Sequence, residues 1–177
     1  MIEGDFMKKV LLLICMVLLL AACGNSNETI SKEDVLIDAN QFAKITSEEL
    51  VAILGEPESI EDYEWSVPKT GESIVGKLYI YKKNKFEFVL FDNSVARLNV
   101  YSGQYWGYDD SVIEFQSKED IFSMFNIESN NNMKKIEDTN YALRFSPVTD
   151  TIADLWIQEI QENTLGIAKI TYDLNYF

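Results

Sequence analysis

Val95-Ala96-Arg97-Leu98-Asn99-Val100 and Ile167-Ala168-Lys169-Ile170-Thr171-Tyr172 agree in character at six consecutive positions: apolar, alanine, cation, aliphatic, small polar, apolar. Each alternates with the period of two that marks a strand with one buried face. The two segments lie seventy-two residues apart, and a second match appears at nearly the same offset. Ile45-Thr46-Ser47-Glu48-Glu49-Leu50-Val51-Ala52-Ile53-Leu54-Gly55 corresponds to Gln116-Ser117-Lys118-Glu119-Asp120-Ile121-Phe122-Ser123-Met124-Phe125-Asn126, seventy-one residues on. Two amphipathic strands can match by chance, but agreement at both ends favours a duplicated unit.

The leading segment of each unit reads as a short helix. Thr46 and Ser117 are good N-caps, because a hydroxyl there accepts an otherwise unpaired first-turn N–H. Glu49 completes a capping box with Thr46, and Ile45 is placed to staple onto Leu50. Asp120 is the shorter acid at the equivalent place. Gly55 and Asn126 suit the left-handed residue that ends a helix, and Pro57 prevents continuation of the first. Helices of about two turns need a sheet to lean on.

Strands fill the rest. Tyr63, Trp65 and Val67 share a face; Leu78 and Ile80 alternate with Tyr79 and Tyr81; Phe86–Phe91, a turn at Asp92-Asn93-Ser94, and Val95–Tyr101 follow. The second unit reads as Met133–Thr139, Tyr141–Phe145, Ile152–Ile160 and Ile167–Leu174, with breaks at Asn130-Asn131-Asn132 and Pro147. The expected fold class is α+β: two tandem units, residues 38–102 and 103–177, each a short helix plus a four-stranded antiparallel meander sheet. A capped helix, the Leu54-Gly55-Glu56-Pro57 exit and a meander, taken twice, resembles the tandem domains of the β-lactamase inhibitory protein fold. That resemblance implies protein binding through a sheet face; none of that family's binding residues carries over. The chain is also similar to uncharacterised lipoproteins of Gram-positive bacteria, a likeness that implies location but no activity.

The N-terminus is a targeting segment rather than part of the fold. Lys8 and Lys9 precede eleven uncharged residues, Val10–Leu20, too few to span a bilayer as a helix, which takes about 20. Leu20-Ala21-Ala22-Cys23-Gly24 follows. This order resembles the bacterial lipoprotein signal and lipobox, which implies Leu20, Ala21 and Ala22 as recognition positions and Cys23 as the lipidated residue. Met7 is the more natural start, with Met1–Phe6 as an extension. The expected organisation is a signal peptide, 1–22, then a lipidated tether, 23–37, polar and acidic enough to stay extended. Two acyl chains hold a protein stably on a bilayer, so lipid is expected to anchor the chain to the extracytoplasmic face of the cell membrane.

Composition narrows the chemistry. The formal net charge is -14, which disfavours nucleic acid and anionic headgroups and leaves basic proteins, cations or neutral glycans. There is no histidine, and of the two cysteines Cys15 leaves with the signal while Cys23 carries lipid. Triad hydrolysis and His/Cys zinc sites are therefore excluded as drawn, and no phosphate-binding glycine loop is present. No catalytic residue, metal or cofactor is expected. Tyr105, Trp106 and Tyr108 form the candidate binding patch, since such residues pair an apolar body with a polar tip; filling a junction between the two sheets is the competing role. Asp109-Asp110 with Ser111 and Glu114 lacks calcium-loop spacing. Glu61, Asp62 and Glu64 read as solvated acids rather than a glycosidase pair, and Trp65 and Trp156 as core. The expected function is a non-catalytic, lipid-anchored envelope protein that binds an envelope or exported protein. The alternative is a cell-wall glycan-binding or carboxylate-based wall-modifying protein. A solute receptor is disfavoured by size and by the lack of βαβ alternation.

Overall fold

The capping box at Thr46 forms as its residues require. Thr46 Oγ1 accepts from the Glu49 N–H at 3.3 Å, and Glu49 Oε2 accepts from the Thr46 N–H at 2.8 Å. Helix α1 then runs Ser47–Leu54, and Gly55, at φ 83°, donates its N–H to the Val51 carbonyl. Leu50 is its fully buried residue. A short 3₁₀ turn, Ala39–Phe42, precedes it and is capped by the Asp38 carboxylate. A computed structural model gives these positions; it describes residues 35–82, 85–103, 112–158, 160–161 and 163–177.

Helix α2 is shorter than its sequence suggests, Asp120–Met124, and Ser117 does not cap it. The carboxylate of Asp120 accepts the Gln116 and Ser117 N–H groups at 2.9 and 2.7 Å, which holds its carboxyl below the usual aspartate range. The last turn tightens, with the Phe125 N–H on the Phe122 carbonyl, before Asn126 turns left-handed at φ 52°.

Eight strands follow from the period-two pattern: β1 (Ser59–Ser66), β2 (Ser73–Tyr81), β3 (Phe86–Phe91), β4 (Ser94–Tyr101), β5 (Lys135–Asp138), β6 (Ala142–Phe145), β7 (Asp154–Gln158) and β8 (Ile167–Thr171). They form one antiparallel sheet in the order β1-β2-β3-β4-β8-β7-β6-β5. This corrects the expectation of two tandem helix-plus-four-strand units. A separate four-stranded sheet ending at β4 or β8 would expose a long edge beside its most aliphatic strand. Direct pairing of β4 with β8 gives both edges their hydrogen-bond partners. The register sets Leu98 opposite Ile170, Arg97 opposite Thr171 and Asn99 opposite Lys169, so the two matching hexapeptides meet about a local two-fold at Leu98/Ile170.

The outer strands are protected by charge. Strand β1 exposes Glu61, Asp62 and Glu64, and β5 is four residues long, with Asp138 bonded to both Lys118 and Lys135. Those two ammonium groups hold the Asp138 carboxyl at about 2.

Helices α1 and α2 and the 3₁₀ turn pack on one face. Phe42, Leu50, Phe88, Leu98, Ile121, Phe125, Leu155 and Ile170 form the core there, each at most 2% exposed. The 3₁₀ turn is tied down by the Tyr172 hydroxyl, which donates to the Ala39 carbonyl at 2.7 Å. On the opposite face, Tyr176 and Phe177 fold back over β1, β3 and β4. Their rings meet Phe91 at 4.6 and 6.0 Å, and Trp65 Nε1 donates to the Tyr176 carbonyl at 2.6 Å.

Candidate functional site

The helix-free face, which carries no helix among the described residues, takes the strand positions that alternate with the main-core aliphatics of β3, β4, β6, β7 and β8. Register turns these into two rows. One runs Glu87 (β3), Asn99 (β4), Lys169 (β8), Trp156 (β7), Arg144 (β6); the other runs Val89, Arg97, Thr171, Asp154 on β3, β4, β8 and β7. Three cations from three strands thus gather on the face of a strongly acidic protein. Neighbouring strands lie about 4.8 Å apart and same-face residues about 7 Å apart along a strand, so the two rows form one patch.

Trp156 is held between two of those cations. The Arg144 guanidinium lies 4.7 Å and the Lys169 ammonium 5.3 Å from its ring centre, each worth about 0.5–2 kcal/mol depending on solvent exclusion. Arg144 Nε donates to Asp154 Oδ2 at 2.9 Å, and Asp154 is buried. Burial raises the Asp154 carboxyl above its ordinary range, with Arg144 opposing that rise.

Arg97 is differently placed. Its Nε donates to Thr171 Oγ1 at 3.0 Å and its guanidinium stacks 3.3 Å from the Phe177 ring centre. No carboxylate among the described residues lies within ion-pair distance of it. Burial of that charge pushes its pKa down to about 10. Beside it, Asn99 Nδ2 and the Tyr101 hydroxyl donate to the Glu87 carboxylate at 3.4 and 2.7 Å.

Two buried polar side-chain atoms lack a hydrogen-bond partner among the described residues: Asn99 Oδ1 and Trp156 Nε1. Both belong to the row that passes through Lys169. An unmade buried hydrogen bond costs about 1–3 kcal/mol, so two on one face mark it as a place where structure yields to something else.

Glu87 gives a direct test of this electrostatic picture. Desolvation raises its carboxyl above the ordinary value of 4.5, against the two hydrogen bonds it accepts. A folded pKa above the unfolded one means the native state holds more protons, so this group's contribution is fullest below about pH 4.5 and is lost as pH rises through its raised value. Glu87→Gln is expected to flatten the decline of urea midpoint between pH 4.5 and 7. A slope identical to that of the parent chain would show Glu87 to be unstrained.

The sequence-derived candidates fare variously. Leu20, Ala21, Ala22 and Cys23, together with Tyr105, Trp106, Tyr108, Asp109, Asp110 and Ser111, lie outside the described residues. Glu61 faces the helix-free side while Asp62 and Glu64 face the other, and Asp62 Oδ1 is taken by Lys77 at 2.6 Å. Trp65 and Trp156 are not main-core residues: both stand half-buried on the helix-free face, because their positions alternate with the aliphatic ones. Arg97, Arg144, Asp154 and Lys169 went unremarked as site residues, although period-two reading places each opposite the aliphatic side of its strand.

A second feature lies where the 3₁₀ turn meets the loops after α2 and before β7. Asn40, Asn126, Asn130, Asn132, Asp150 and Thr151 are among the residues lining a polar cleft of about 530 Å³. Several of its amides are already engaged: Asn40 Nδ2 donates to the Asn126 carbonyl at 2.7 Å and Asn130 Nδ2 to the Val148 carbonyl at 2.9 Å.

No family model and no curated protein matches the chain. Among solved structures, it is similar to an extracellular protein containing an SCP domain from Bacillus anthracis str. Ames, with 15% identity over 85% of this chain and 51% of that one, at a TM-score of 0.41. It is also similar to a cysteine-rich secretory protein from Staphylococcus aureus, with 9% identity over 78% of this chain and 50% of that one, at a TM-score of 0.39. The chain thus spans about half the length of each. Likenesses at this level assign no activity.

Proposed function

We propose that the chain is a lipid-anchored, non-catalytic binding module on the extracytoplasmic face of a bacterial membrane, presenting the helix-free face of its sheet to an envelope or exported protein. The observation that carries the binding part is the central row of that face, where cations flank Trp156 and two buried polar atoms have no hydrogen-bond partner among the described residues. The anchoring part rests on Lys8-Lys9, Val10–Leu20 and Leu20-Ala21-Ala22-Cys23 in order.

Site-specific photocrosslinking in intact cells tests the binding part. A benzophenone side chain at Glu137, on the helix-free face of β5, is expected to give a discrete adduct. The same probe at exposed Val75, on the helix side of β2, is expected to give none. Equal labelling from both positions, or from neither, would remove the face from the account. For the anchor, Cys23→Ser is expected to abolish palmitate incorporation and release the chain from membranes; continued labelling would contradict it.

The polar cleft favours a second reading, cell-wall glycan binding, because amides and hydroxyls suit sugar hydroxyls. Retention on purified peptidoglycan that falls at least about tenfold in Asn132→Ala would support it, that being the worth of one lost hydrogen bond of about 1.4 kcal/mol. Failure to be retained would end it.

A further inference from the structure

We infer that the helix-free face binds an extended acidic peptide segment laid across β4, β8 and β7, with a side-chain carboxylate on Arg97, a backbone N–H on Asn99 Oδ1 and a backbone carbonyl on Trp156 Nε1. This rests on the proposed binding role and names its ligand.

The chemistry follows from what each group lacks. Arg97 uses one donor on Thr171 Oγ1 and stacks on Phe177, leaving the outer N–H groups of the guanidinium without a hydrogen-bond partner among the described residues. A guanidinium fork is matched by a carboxylate. Asn99 Oδ1 is an acceptor in need of a donor, and Trp156 Nε1 is a donor in need of an acceptor. A peptide supplies all three kinds of group.

Spacing agrees. Arg97 and Asn99 are same-face neighbours on β4, and Asn99 is separated from Trp156 by β8. Two strand spacings are about 10 Å, which three extended residues cover at about 3.3 Å each. The indole N–H is reached when the Arg144 or Lys169 side chain moves off the ring, a rearrangement of half-buried side chains rather than of the sheet.

Charge favours a carboxylate over phosphate. Arg144 is already paired with Asp154, and Glu87 stands one strand from Asn99. One guanidinium without an acidic partner among the described residues balances one negative charge, whereas a second charge on the ligand meets Asp154 and Glu87 in a poorly screened setting. The overall acidity of the chain has no part in recognition: the ligand is met locally by Arg97.

The test uses the full-length chain in non-ionic detergent, followed by ¹⁵N-correlation spectra of the tryptophan indole N–H groups, with Trp156 assigned by its loss in Trp156→Phe. The probes are acetyl-Gly-Glu-Gly-amide, acetyl-Gly-Gln-Gly-amide and inorganic phosphate. The glutamate peptide is expected to shift the Trp156 indole resonance saturably, and the glutamine peptide to bind at least about tenfold more weakly, the loss of one charge-assisted hydrogen bond. Arg97→Met is expected to abolish the preference for glutamate while keeping a cooperative unfolding transition, since an apolar side chain replaces a buried charge. The comparison of the two peptides on the parent chain needs no variant and stands even should that variant misfold. Equal binding of both peptides, phosphate binding as tight as the glutamate peptide, or no indole shift each overturns the inference. A crosslink from Glu137 that persists in Arg97→Met would leave the binding module standing and remove only its acidic ligand.

Discussion

Gly76→Ala is expected to destabilise the fold by about 3 kcal/mol, the upper part of the range for overpacking a close-packed interior. Gly76 lies in β2 on the helix-free face, opposite Tyr63, beneath the ring of Phe91. A Cβ there meets the Leu90 carbonyl oxygen at far less than van der Waals distance and falls 2.6 and 2.8 Å from two atoms of the Phe91 ring. Neither neighbour has room to retreat. The carbonyl is backbone of a central strand, and Phe91 is enclosed by Tyr63, Tyr176 and Phe177. A control is Gly71→Ala, in the turn before β2 at φ 72° with nothing close to its Cβ, which carries only the conformational penalty of about 1 kcal/mol. Urea denaturation separates the two; a Gly76→Ala midpoint equal to that of Gly71→Ala would show that β2 and β3 are not packed as described.

Leu98→Ala is expected to cost about 3 kcal/mol as well, by the opposite mechanism of a cavity left in a core that collapses only partly. Leu98 and Ile170 are directly opposed and fully buried where β4 meets β8. The effect should reach both halves of the sheet, so variants that keep either Trp65 in β1 or Trp156 in β7 as the single tryptophan are expected to lose their native fluorescence at one shared, lowered midpoint. Ile170→Ala should behave alike, and the double variant should depart from additivity because the two side chains share one cavity. Truncating exposed Val75 to alanine is the contrast, expected to stay within about 0.5 kcal/mol.

Local signals were read well from sequence because their causes are local. The capping box at Thr46, the left-handed Gly55 and Asn126, and the aliphatic alternation in β3, β4 and β8 each depend on residues a few positions apart. Ser117 does not cap because the helix begins only at Asp120, whose N–H goes to the Ser117 backbone carbonyl and not to its hydroxyl. Sheet order was not legible. Period two says which residues share a face of one strand and nothing about which strand lies alongside, so two separate meanders and one continuous sheet are equally compatible with the pattern. The candidate site was lost for the same reason: Arg97, Asp154, Trp156 and Lys169 become neighbours only once β4, β8 and β7 are adjacent. The aromatic segment Tyr105-Trp106-Gly107-Tyr108 drew attention by composition, whereas the face that gathers unpaired polar atoms is made of residues unremarkable in isolation.

Joining of the two meanders through β4 and β8 underlies the face, the seam energetics and the ligand alike. Hydrogen–deuterium exchange of the full-length chain under native conditions tests it most directly. Amides of residues 97–100 and 168–171 are expected to exchange as slowly as those of β3 and β7 and to open together with them in one global event. Fast exchange along either segment, with the β1–β3 and β5–β7 strands opening at different free energies, would contradict a single sheet.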